Sequence, residues 1–249
     1  MAMMRTANPA LSDAVFKSVQ PYVGADKMTI SGTVNRAAIL LVLLAISAGY
    51  VWATFVGRQD MSGVMPYLMV GVFGGLVVAI VTVFKKEWAA YTSPVYAVLE
   101  GLVIGGLSVA MEMRFPGIVI QAVGLTFGIL AVLLLIYRTG LINVTQKFRM
   151  GVFAATGGVM LIYLVTMGLG FFGIHMPYLF QGGPIGIGFS LVVIVIASLN
   201  LILDFDFIER GAERGAPKYM EWYAAFGLMV TLIWLYIEIL RLLANLRRR

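Results

Sequence analysis

The stretch YAAFGLMVTLIWLYIEILRLLANL, residues 223–246, decides the fold. Placed on a helix, Gly227, Thr231, Trp234, Glu238, Arg241 and Asn245 recur at alternating spacings of four and three, so they share one stripe. Leu, Ile, Val, Met and Ala cover the rest of the surface. A helix that is apolar all round except for one polar stripe belongs inside a bundle of other helices, with the stripe turned to its neighbours. Glu238 therefore needs a partner: a group on another helix, or Arg241 one turn along its own.

The rest of the chain supplies those helices. Of 249 residues, 61% are hydrophobic and only 12% charged, where a soluble domain carries about 25% charged residues. The composition is that of a polytopic membrane protein. The absence of cysteine excludes disulfides, thiolate metal sites and cysteine nucleophiles. One histidine, His175, stands beside Met176 and Pro177 and reads as a loop residue. There is no HExxH, no Ser–His pairing, no GxGD-type aspartate pair and no lysine in the last apolar run, so no enzymatic chemistry and no resident cofactor are expected.

Seven apolar runs reach the length of about 20 residues that a bilayer crossing needs: 37–56, 66–84, 93–111, 118–137, 150–172, 185–206 and 223–246. The expected fold is all-α, a seven-helix transmembrane domain over 34–249 with the last helix central. Residues 1–33 lack an apolar run and read as a flexible cytoplasmic tail rather than a cleaved signal. Basic residues divide unevenly between alternate connections. Arg5, Lys17, Lys27, Arg36, Lys85, Lys86, Arg138, Lys147, Arg149, Arg210, Arg214 and Lys218 fall on one side, and only Arg58 and Arg114 on the other. That asymmetry places the N terminus in the cytoplasm and accounts for the net charge of +6 by topology, with no nucleic-acid partner. Seven crossings put Arg247, Arg248 and Arg249 outside: either a basic tail is translocated or the last helix stops short.

Ionisable side chains at bilayer depth cost at least about 2.5–3.5 kcal/mol on insertion scales, so each invites a reason. Glu100 in the third run, Asp204 at the end of the sixth and Glu238 in the seventh are the acids concerned. Gly186, Ser190, Ala197, Asn200 and Asp204 share one helical face, which suits close packing against the stripe of the last helix. Gly101, Gly105, Gly106 and Ser108 do the same beside Glu100. Bland readings stand beside the functional ones: Asp204 solvated at the interface with Asp206, Glu209 and Arg210; Glu238–Arg241 a structural ion pair; Glu100 a helix bridge.

The segments LNLILDFDFIER (199–210), YAVLEGLVIGGLS (96–108) and LYIEILRLLANLRR (235–248) resemble the Bax inhibitor family of seven-helix membrane proteins. Together with TANPALSD (6–13) and MTISGTVNR (28–36), they resemble most its bacterial, YccA-like branch. The resemblance implies an inner-membrane protein whose last helix is wrapped by the other six. It also implies a calcium leak gated by two acids on the last two helices that share protons and sense pH. Asp204 and Glu238 match those acids as the sensor pair, and Glu100 matches the family's EGL glutamate; by their own chemistry Asp204 and Glu238 also suit a transient calcium ion, with Glu100, Asn200 and Arg241 as supporting polar groups. The chain departs from the family pattern in carrying Glu at 238 and a cation at 241, and in a longer connection over 207–222, from which the last helix is expected to extend outward from Lys218. The same resemblance implies a second role, as regulator or substrate of a membrane-anchored AAA protease, with residues 1–33 as the handle.

Overall fold

The computed structural model describes residues 27–58, 63–173 and 183–248. Its helices are α1 (Ile30–Arg58), α2 (Met65–Phe84), α3 (Ala89–Arg114) behind a short 3-10 turn (Lys86–Trp88), α4 (Ile118–Arg138), α5 (Gln146–Phe171), α6 (Pro184–Glu213) and α7 (Met220–Arg247). Seven spans are long and apolar enough to cross a membrane, as the apolar runs imply. Among the described residues there is no strand, only an isolated bridge between Lys27 and Pro217. Exposed Phe73, Phe84, Leu135 and Leu161 present faces that water would penalise and lipid tails accept. The protein is an all-α polytopic membrane protein. Its last span is the most buried: 67% of its central window is enclosed, against 44% for the next.

Local chemistry sets the helix ends. Pro66 occupies the first turn of α2, where its missing N–H costs nothing. Gly117, at φ +79°, turns the chain into α4. Thr145 caps α5, its hydroxyl accepting from the Phe148 N–H at 3.2 Å. Two ends differ from the apolar runs. The sixth run loses its apolar character at Asp206, yet α6 continues to Glu213. The residues that follow Asp206 mix buried Phe207 and Ile208 with charged Glu209 and Arg210, and the backbone stops only at Gly215, with φ +63° and the Ala216 N–H returning to the Gly211 carbonyl at 3.0 Å. The long connection expected over 207–222 is therefore short, and α7 begins at Met220, close to the expected Lys218. At the other end of the chain, α1 starts at Ile30, seven residues before the apolar run. Residues 1–26, most of the expected tail and its protease handle, lie outside the described residues, as does His175.

The chain forms two compact units that divide α6 and α7 between them. The N-terminal unit holds 27–116 with Phe207–Val230. Here α3 presses its glycines on its neighbours. A Cβ at Gly105 would lie 2.8 Å from the Ala48 carbonyl of α1, and one at Gly106 would lie 2.6 Å from Leu68 of α2. Ser47 completes the α1–α3 contact by donating to the Val98 carbonyl at 2.7 Å. The start of α1 is held down as well. The Met28 N–H donates to the Ala216 carbonyl at 2.7 Å, and both the N–H and the hydroxyl of Thr29 donate to Glu221 at 3.0 and 2.9 Å. Arg36 ion-pairs with Glu221 at 3.2 Å and lies over the Trp222 ring.

The C-terminal unit holds Gly117–Asp206 with 231–248. Val152 of α5 and Leu203 of α6 form a core there with Val144, Phe148 and Leu199 packed against it. Tyr137 of α4 meets Phe205 with ring centroids 5.8 Å apart.

Candidate functional site

The C-terminal unit contains Asn200, Asp204, Glu238 and Arg241, while Glu100 belongs to the N-terminal unit. Glu238 is 1% exposed, and both of its carboxyl oxygens are engaged. Oε1 accepts from the Tyr163 hydroxyl of α5 at 2.7 Å, and Oε2 from Arg241 Nη1 at 3.1 Å. Arg241 Nη1 also donates to the Tyr163 oxygen at 2.8 Å, closing a triangle, and its guanidinium lies 5.3 Å over the Tyr163 ring. The Trp234 indole, one turn back on α7, is a further donor to Glu238. The counter-ion that the spacing of 238 and 241 allows is thus formed, with a tyrosine from another helix locked into it.

Asp204 is also 1% exposed. The Thr231 hydroxyl of α7 hydrogen-bonds its carboxyl, and Oδ2 has no hydrogen-bond partner. Asp204 is therefore buried, not solvated at an interface. The reading of its neighbour changes with it: Asp206 pairs with Arg149 of α5 at 2.8 Å, their side chains 9% and 3% exposed. Arg149 enters the basic count as a connection charge but is a buried ion-pair partner. Asn200 donates to Thr156 of α5 at 2.8 Å and to the Ile196 carbonyl at 2.8 Å. Among the described residues no hydrogen bond joins Asp204 to Glu238; each carboxyl has its own partners.

The α5 partners follow a rule. Arg149, Thr156 and Tyr163 are seven residues apart, so they lie along one face of α5 at steps of about 10 Å. They meet Asp206, Asn200 and Glu238 in turn. The inward faces of α5, α6 and α7 so carry one polar track about 20 Å long. Ser190 Oγ and Asn245 Nδ2 are further buried polar atoms of this unit without a hydrogen-bond partner. Sequence reasoning singled out the acids of α6 and α7 and passed over the α5 members, although three polar residues at heptad spacing in a mostly apolar helix are a readable signal.

In the N-terminal unit Glu100 is hydrogen-bonded to Tyr96, one turn back on α3, and its carboxyl lies against Gly75 of α2. Tyr96 packs edge-on to Phe226 at 5.0 Å. The acid thus sits between two helices, as a bridge would. Glu221, the buried acid that ties down Thr29 and Arg36, went unremarked in the sequence because it precedes the apolar run.

A track of this kind offers hydroxyls, amides and carboxylates to a proton or a cation in an otherwise apolar interior. It contains no ready-made metal cage: among the described residues no group of three or more His, Asp or Glu side chains comes together. Calcium, bound by six to eight oxygens, would be cargo here rather than a resident ion. No curated protein matches the chain. A family model described as Bax inhibitor 1 like matches residues 8–248.

Proposed function

Because this chain belongs to the Bax inhibitor 1-like family, we propose that it is a pH-sensitive calcium leak channel of a bacterial inner membrane, gated through Asp204 and Glu238. Its N terminus faces the cytoplasm, and the YccA-like branch is the part of the family it fits best. One observation carries the reading: Asp204 is buried on a polar track with a carboxyl oxygen that no protein group satisfies. Unsatisfied buried polar atoms are rare, and an intramembrane acid in that condition points to a pathway for protons or ions.

The chemistry follows from the partners. An ionised Asp204 only accepts hydrogen bonds, whereas the protonated acid also donates one. Gaining a proton therefore weakens the carboxyl as an acceptor from Thr231, a hydrogen bond between α6 and α7 in this unit, and adds a donor beside it. Glu238 links α7 to α5 in the same way through Tyr163. Protonation at either acid alters a tie between helices, which makes the helix arrangement a two-state element that pH biases. The test is calcium uptake by liposomes carrying the purified protein, across a pH series. Uptake above that of empty liposomes and rising on acidification is the expected result. Uptake equal to empty liposomes at every pH would remove the channel reading.

A further inference from the structure

We infer that Arg241 is a tethered cation standing where a calcium ion would take hold of Glu238, so that it sets how readily this chain admits divalent ions. The inference rests on the channel reading above and deepens it. Both carboxyl oxygens of Glu238 are already engaged, Oε1 by Tyr163 at 2.7 Å and Oε2 by Arg241 at 3.1 Å. Arg241 is itself held by the carboxylate, the Tyr163 oxygen at 2.8 Å and the Tyr163 ring. A guanidinium keeps its proton at any working pH, so acid does not discharge this competitor, and calcium reaches the Glu238 carboxylate only when the Arg241 side chain moves off it. The geometry allows that movement. The Arg241 side chain is 28% exposed while that of Glu238 is 1% exposed, and arginine can extend its long stem toward an open side while the carboxylate stays in place.

Asp204 supplies the contrast within the same unit. Among the described residues it has no ion-pair partner, and its Oδ2 has no hydrogen bond. Asp204 is thus open to one positive charge, a proton or a monovalent ion, while Glu238 already holds its own. A divalent ion gains the second carboxylate only when Arg241 leaves it. Arg241 is accordingly a specificity-determining residue and a brake on calcium, through the contacts that hold it on Glu238.

The test uses purified full-length protein in detergent micelles and reads calcium binding directly, by titration calorimetry and by the calcium-dependent rise in melting temperature. Arg241→Gln should bind calcium about tenfold more tightly than the wild type, and Arg241→Gln/Glu238→Gln should lose that gain. Tyr163→Phe, which keeps the ring and removes the hydroxyl that steadies Arg241, should shift affinity in the same direction by a smaller factor. It carries the test if Arg241→Gln does not fold. Arg241→Lys, which retains a cation, should stay close to the wild type. Unchanged calcium affinity in Arg241→Gln and Tyr163→Phe, or a gain that survives removal of Glu238, would overturn the inference. Binding is read without flux, so a wild type that fails to leak calcium would end the channel reading and leave this result standing.

Discussion

Glu238 and Asp204 are equally buried, each 1% exposed, but differently satisfied. Glu238 is saturated by Tyr163 and Arg241, while Asp204 keeps one oxygen unpaired. Both acids were legible in the sequence, because an acid within an apolar run is conspicuous. Their partners were less so: Tyr163 reads as one more aromatic in a membrane helix, and Arg149 as a charge at the edge of a connection. The Arg149–Asp206 pair gives a direct prediction. Removing one member of a buried ion pair costs about 3–5 kcal/mol, because the other is left uncompensated, whereas replacing both by apolar groups of similar volume is close to neutral. Arg149→Met alone should therefore lower stability strongly, and Arg149→Met/Asp206→Leu should recover most of the loss. A double-mutant cycle of unfolding in mixed micelles measures this, and equal destabilisation by the single and double replacements would contradict the pair's role.

At the scale of elements, hydropathy located all seven helices because bilayer crossing requires long apolar runs, but it misjudged where two of them end. Backbone hydrogen bonding, not apolarity, ends a helix: α6 runs on through Glu213 until Gly215, and α1 begins at Ile30. The stripe on α6 was legible for the same reason as that on α7, since small and polar residues at helical spacing mark the inward face. Ala197 on that stripe is fully buried, while Val195 is 57% exposed. Ala197→Trp should thus abolish or strongly reduce the yield of folded protein, and Val195→Trp should be tolerated, as monitored by size-exclusion elution. Similar behaviour at both positions would refute the assigned face. The tie at the start of α1 makes a second prediction. A Cβ on Gly32 would overlap the Glu221 carboxylate, so Gly32→Ala should cost about 1–2 kcal/mol, within the usual range for a single replacement that disturbs a buried contact. Gly49→Ala in the same helix, with nothing near its Cβ, should be neutral or slightly stabilising in the same unfolding assay.

For the whole molecule, the uneven basic residues should orient the protein across the bilayer, and the chain is well suited to testing this because it has no native cysteine. Single cysteines at positions 147 and 214 should resist membrane-impermeant thiol reagents in intact cells and react after permeabilisation; reaction in intact cells would reverse the assigned orientation. Within the basic set, Arg36 is ion-paired with Glu221 and Arg149 with Asp206. The proposed sensing of pH by Asp204 and Glu238 is read from the pH profile of calcium flux in liposomes for the wild type, Asp204→Asn and Glu238→Gln, with folding of each verified beforehand. The wild-type flux should rise on acidification, and the profile should flatten in both variants. Both variants retaining the wild-type pH profile would contradict that role.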